Sequence, residues 1–303
     1  MFSENGCAIE TQQLRKVYKT VVAVDGISLE VPTGSTLGII GPNGAGKSTF
    51  LRMLLGVCRP TSGTARVLGL DIDQDHQLIR PRVGYVPEQH NIYRWMKVQE
   101  VMQFARAMYV NWDAPFANEL SSLFRLPPQA YVRTLSRGML AKLALLVATA
   151  HRPPLLILDE PLSGLDPIAR DEFIDAILSY RGGTEEQTVL FSSHQLDEVN
   201  RLADYVAIVY QGMIVLWGNV PELLFESGFV RFRMIGDARL PAELADYKPK
   251  SVEDTWVISG TQGIGKIVQL VRDHDDIEFV GVREMTLDEL FRTTISEARA
   301  CAE

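Results

Sequence analysis

The rhythm of polar and apolar positions changes several times along the chain, and each change marks a different kind of element. In "AIETQQL" and "VVAVDGISLEV" apolar and polar residues alternate with the period of two that half-buried strands need, and Pro32 and Gly34 end the run. "STLGIIG" reads as a short strand buried on both faces. From Lys47 the spacing becomes helical, with Phe50, Leu51, Leu54 and Leu55 on one side, closing near Gly56. "GTARVLGLD" reads as a further strand. Residues 91–150 are mostly helical, rich in Met and aromatics, and interrupted at "LPPQA". Strand-like and helix-like runs then alternate: "LLILD", "ARDEFIDAILSY", "TVLFSS", "LDEVNRLA", "YVAIVYQGMIV". Strands separated by helices of this length predict a mostly parallel sheet covered on both faces, with the middle block inserted into an α/β core.

A boundary is expected between Trp217 and Pro221, dividing residues 1–218 from a small α+β unit at 219–303. That unit carries strand-like "GFVRFRMIG", "TWVISG" and "IEFVGVRE", a helix from about Gly265 to Asp273, and a last helix "TLDELFRTTISEAR". Neither an internal repeat nor a low-complexity tract is visible.

Composition narrows the setting. Across 303 residues, 46% hydrophobic and 22% charged is the balance of an ordinary globular protein. A net charge of −8 argues against a nucleic-acid coat, which needs a basic face for phosphates. Cys7, Cys58 and Cys301 are widely spaced and odd in number, so neither a disulfide framework nor a metal cluster is expected. The longest apolar stretch, "LALLVATA", is stopped by Lys142 and His151, far short of the ~18 residues that cross a bilayer. "MFSENGCAIE" lacks the charged and apolar regions of a leader. A cytoplasmic setting is expected.

The chemistry is concentrated in two places. "GPNGAGKST" lies between a strand and a helix, the setting in which a glycine-rich loop wraps phosphate with its N–H groups at a positive helix end. Asn43, Gly44, Ala45, Gly46, Lys47, Ser48 and Thr49 are the candidate phosphate binders. Lys47 is expected at the terminal phosphates and Ser48 at Mg²⁺. "LLILDE" ends a buried strand in two carboxylates: Asp159 suits Mg²⁺, and Glu160 can orient and deprotonate an attacking water. Together they point to a P-loop nucleoside triphosphatase.

Further motifs follow in order: "KVYK", "GYVPEQH", "LSRGM", "SGLD" and "SSHQL". With them, residues 8–218 resemble the ATP-binding subunits of ABC transporters. The resemblance implies that Tyr18 stacks on adenine, that Gln89 meets Mg²⁺ and the attacking water, and that His194 is a catalytic switch beside Glu160. It implies that Ser136, Arg137 and Gly138, at the mouth of a helix capped by Ser136, cover the γ-phosphate of ATP held by a second nucleotide-binding subunit, and that Asp166 lies in a dimer-contacting loop. Arg137 and Met139 replace residues of the commonest form of that signature, a variant that looks typical of exporter-type members. The fold implied is a P-loop core with an N-terminal antiparallel β subdomain and an inserted helical subdomain.

Since the chain has no apolar span, the resemblance also implies a separately encoded permease and a place on the inner face of the membrane. Tyr93, Trp95 and Met96 are candidate permease contacts, although packing within the helical block would use the same residues. Other readings are a soluble ATPase of this family without a permease, and a nucleotide sensor without turnover. Glu160 and His194 speak against the sensor. The transported substance is not encoded here.

Overall fold

The structure, a computed structural model, describes residues 6–182, 187–236, 240–252 and 254–302. The first five residues of the stretch read above as lacking a leader, and the Cys301 side chain, lie outside them. The chain gathers into two compact units, residues 1–214 and 215–303.

In the first unit, β1 (Cys7–Tyr18) and β2 (Val21–Pro32) pair antiparallel. β3 (Thr36–Ile40), buried at every position, delivers the chain to the phosphate loop, and α1 (Lys47–Leu54) leaves it. The run read as one strand is two, β4 (Ser62–Val67) and β5 (Leu70–Asp71). Leu68 and Gly69 turn between them at φ 53° and 76°, the backbone that two-residue hairpins require. These strands form a sheet ordered β2-β1-β4-β5. A short helix, α2 (His76–Ile79), precedes β6 (Val83–Val86).

The insertion holds α3 (Val98–Met108), α4 (Ala114–Leu123) and α5 (Arg137–Thr149). Asp113 and Ser136 cap the second and third, accepting from the N–H groups of Phe116 at 3.0 Å and Met139 at 3.2 Å. The core resumes with β7 (Leu155–Asp159), α6 (Pro167–Arg181), β8 (Thr188–Ser193), α7 (Leu196–Leu202), β9 (Tyr205–Tyr210) and β10 (Met213–Asn219). Gln211 and Gly212, at φ 48° and 82°, divide the last apolar run into two strands. The six-stranded sheet is ordered β10-β9-β3-β8-β7-β6, and every pair from β9 to β6 is parallel. The expected α/β class is borne out, with its antiparallel sheet and helical insertion.

Two consequences matter below. Ile40 pairs with Ser193 and Asp159 with Ser192, so the phosphate loop and both carboxylates leave the same edge of the sheet. The insertion's last helix, α5, is also fastened to α6: Lys142 pairs with Glu172, and a Cβ on Gly138 would stand 3.1 Å from that of Ala169. Arg137 lies against Gly164, where a Cβ would fall 2.3 Å from Nη1.

The second unit adds α8 (Val220–Phe225), β11 (Gly228–Met234), α9 (Ala242–Ala245), β12 (Lys250–Val252), β13 (Thr255–Gly260), α10 (Ile264–Arg272), β14 (Ile277–Glu284) and α11 (Leu287–Ala302). Its sheet is ordered β12-β13-β11-β14, and Val230, Phe232, Ile258, Ile267 and Val271 are buried at its centre. The sequence pattern had not marked α8, α9 or β12, which are too short to show a period.

Candidate functional site

A cleft of about 420 Å³ opens over the phosphate loop. Asn43, Gly44, Ala45, Gly46, Lys47, Ser48 and Thr49 line one side, and Val21, Val22, Ala23, Glu88, Glu160, Ser163 and His194 the rest. Close backbone approach explains two of its glycines. A Cβ on Gly41 would meet the Val209 carbonyl at 2.2 Å, and one on Gly46 the Ala23 carbonyl at 2.1 Å, with Gly46 at φ 102°. Gly46 stands just before α1, so the loop's N–H groups and the helix end face the same space.

Lys47 is buried. Its ammonium donates to the carbonyl of Gly41 at 2.7 Å and lies 3.1 Å from Glu160 Oε1, an ion pair without hydrogen-bond alignment. Glu160 itself sits at φ 49°, a conformation that costs a non-glycine residue about 1–3 kcal/mol and that gathers at functional sites. Its other oxygen, Oε2, is 2.7 Å from His194 Nδ1. One carboxylate thus touches a lysine and a histidine at once.

Asp159 lies beneath, at 0% exposure. Its Oδ1 accepts from the hydroxyls of Ser48 and Ser192, both at 2.9 Å. Its Oδ2 is buried without a hydrogen-bond partner. A buried orphan carboxylate oxygen beside a serine hydroxyl fits Mg²⁺, which takes hard oxygen ligands. Among the described residues, no three His, Cys, Asp or Glu could hold a metal by themselves, so water and substrate phosphate oxygens would complete such a coordination shell.

Other expected residues are not part of the cleft lining. Gln89 is exposed and does not line the cleft; the chain bends after Pro87 and presents Glu88 there instead. Tyr18 stands beside the lining: its hydroxyl meets Cys58 Sγ at 3.0 Å and also interacts with the Thr49 side chain of the phosphate loop, the Lys16 ammonium is 4.9 Å from its ring centroid, and Val21 and Val22 line the cleft. Ser136, Arg137, Gly138 and Asp166 are not brought to this cleft by their own chain. Asp166 caps α6, accepting from the Ala169 N–H at 2.9 Å. Met96 is buried, whereas Tyr93 and Trp95 are exposed.

Ser192 was missed by sequence reasoning, although "SSHQL" contains it. Its hydroxyl donates to Asp159 and accepts from the Glu160 N–H at 2.9 Å, locking the two carboxylates in order. A serine at a strand end carries no signal of its own.

Fold and site define a protein that binds a nucleoside triphosphate at a phosphate loop. A family model described as ABC transporter matches residues 24–163. The chain is 33% identical over 304 residues to the daunorubicin/doxorubicin resistance ATP-binding protein DrrA of Streptomyces peucetius, covering 94% of this chain and 91% of that one. It is 34% identical over 297 residues to the bacitracin transport ATP-binding protein BcrA of Enterococcus faecalis, covering 96% and 92%. The solved structure of an ATP-binding subunit of an ABC transporter matches with a TM-score of 0.66 and 26% identity, over 71% of this chain and 91% of that one. The chain belongs to the ATP-binding proteins of the ABC transporter family and is an ATPase.

Proposed function

We propose that this chain is the ATP-hydrolysing subunit of an exporter, working as a dimer against a separately encoded permease on the inner face of a membrane. The observation that carries the hydrolytic part is the meeting of Lys47, Glu160 and His194 on one cleft, above the free oxygen of Asp159. Lys47 exchanges its carbonyl and carboxylate partners for phosphate oxygens when ATP binds. Glu160 takes the proton of the attacking water, and His194 holds that carboxylate in line. Ser48 and Asp159 would hold Mg²⁺, which supplies charge neutralisation at the phosphates. Glu88 adds negative charge at the wall. Ser136, Arg137 and Gly138 of a second copy cover the γ-phosphate, with Asp166 beside that contact.

Export is supported by the relatives named above, whose matches run through the second unit as well as the first. A relative in Cupriavidus metallidurans, 35% identical over 221 residues, is named as a Nod factor export ATP-binding protein. Among the described residues no helix is long and apolar enough to cross a membrane, so the transported molecule needs another chain. Tyr93 and Trp95 suit that contact. With Phe104 they form an exposed ring cluster, centroids 5.9 and 6.2 Å from Tyr93, that packs against one another rather than into the core.

The test is the solution mass of the Glu160→Gln protein, by light scattering, with and without MgATP. A mass that doubles with MgATP, and no longer does so after Ser136→Arg, supports the shared site. ATP bound without doubling, both alone and beside a co-expressed permease, overturns it.

A further inference from the structure

One buried carboxylate of the first unit has no part in the chemistry above. Glu198, on α7, is 2% exposed. Burial pushes its carboxyl above the usual glutamate range, against the pull of Ser193 and Arg170. Such a group is costly to bury, and replacing it together with its Arg170 partner by apolar side chains would give a core at least as stable. Its contacts indicate what it does there.

Glu198 Oε2 accepts from the Ser193 hydroxyl at 2.5 Å. The same hydroxyl accepts from the Gln195 N–H at 2.9 Å, closing a tight turn whose middle residue is His194. The orientation of the turn is therefore fixed from below by Glu198, while the His194 ring reaches Glu160 on the other side. The second oxygen, Oε1, faces Arg170 Nε at 3.9 Å. Both of these atoms are buried, and neither has a hydrogen-bond partner. They form an ion pair left one small step short of closing. Arg170 lies on the first turn of α6, its N–H bonded to the Asp166 carbonyl at 3.0 Å. A path thus runs from the Asp166 loop through Arg170, Glu198 and Ser193 to His194 and Glu160, with the 3.9 Å Arg170–Glu198 step as its open link.

We propose that Glu198 is a positioning residue for ATP hydrolysis: it holds the turn that presents His194 to Glu160, and through Arg170 it ties that turn to the helix headed by Asp166. The inference rests on the roles given above to Glu160 and His194.

The experiment is steady-state ATP hydrolysis by the full chain, with ATP affinity measured separately, for Glu198→Leu, Glu198→Gln, Ser193→Ala, Arg170→Met and His194→Ala. Glu198→Leu, and Glu198→Leu combined with Arg170→Met, which leaves no buried charge unpaired and should melt no lower than the parent, are each expected to lose on the order of 10- to 100-fold in kcat with KM and ATP affinity unchanged, the cost of a catalytic group moved by about an ångström. Glu198→Gln keeps an acceptor for Ser193 and should recover most of that loss. Ser193→Ala and Arg170→Met should each lower kcat, and Arg170→Met should add nothing to Glu198→Leu. Unchanged kcat in Glu198→Leu while His194→Ala is inactive overturns the inference alone. ATP affinity falling in step with kcat overturns it too, because a collapsed site would do the same. Full turnover by His194→Ala overturns the reading of His194, and the inference with it.

Discussion

Replacing His151 by phenylalanine should flatten the acid dependence of the first unit's stability. His151 is 5% exposed, lies flat on Tyr109 with ring centroids 3.9 Å apart and planes 10° apart, and neither of its ring nitrogens has a well-aligned hydrogen bond. Burial lowers its pKa from 6.5 to about 4, with only the Val147 carbonyl pulling the other way. In the unfolded chain the ring binds its proton near 6.5, so between pH 6.5 and 4 the unfolded state holds more protons than the folded one. The stability tied to this ring is therefore complete above pH 6.5 and lost as pH falls. Linkage puts the loss at about 2 kcal/mol by pH 5 and about 3 kcal/mol by pH 4. Phenylalanine keeps the stacking and the volume but cannot titrate, so at pH 7.5 the variant should lie within about 1 kcal/mol of the parent. Urea unfolding at pH 7.5, 6 and 5 should then show the parent losing about 2 kcal/mol more than the variant. His90, also lowered by burial, and Glu198, raised by it, are common to both proteins and cancel in the difference. Parallel pH profiles would refute the argument, because they would mean that the ring is charged or solvated in the folded state.

Two further outcomes follow from the same geometry. Gly46→Ala forces a Cβ to within 2.1 Å of the Ala23 carbonyl at a φ of 102°, so MgATP should no longer raise the melting temperature; a retained thermal shift would show that the loop can relax. Trp95 is 67% exposed, so Trp95→Asp should leave stability within about 0.5 kcal/mol and ATP binding intact, while retention of a co-expressed permease in detergent pull-down is lost.

How much could be read from the sequence differed from place to place. The phosphate loop was legible because its function is written locally: glycines where the backbone approaches Val209 and Ala23, then Lys47 and Ser48 at the head of a helix. Asp159 and Glu160 were legible because a buried strand rarely ends in two carboxylates without cause. The hairpin at Leu68 was hidden, since a leucine at positive φ has no composition signal. Whether position 88 or 89 faces the cleft is set by a bend after Pro87, and periodicity does not extend into bends. Met96 and its exposed neighbours Tyr93 and Trp95 look equally apolar in sequence, and only packing separates them. The Arg170–Glu198 and Ser192–Asp159 contacts join residues on different elements, so no local pattern could announce them.

The fastening of α5 to α6 sets the natural seam for exchanging parts between relatives. A graft that transplants only the helical insertion, ending at Thr149, would cut through Arg137 on Gly164, Gly138 on Ala169 and Lys142 with Glu172 in one stroke. A graft carried on through Arg181 would move all three contacts intact, at the cost of taking β7 and both carboxylates with it. The helix capped by Ser136 is therefore tied to the strand that carries Asp159 and Glu160 as firmly as to the helices beside it. Swapping docking specificity between such subunits calls for changes confined to α3, α4 and the segment before them, with α5 left in place.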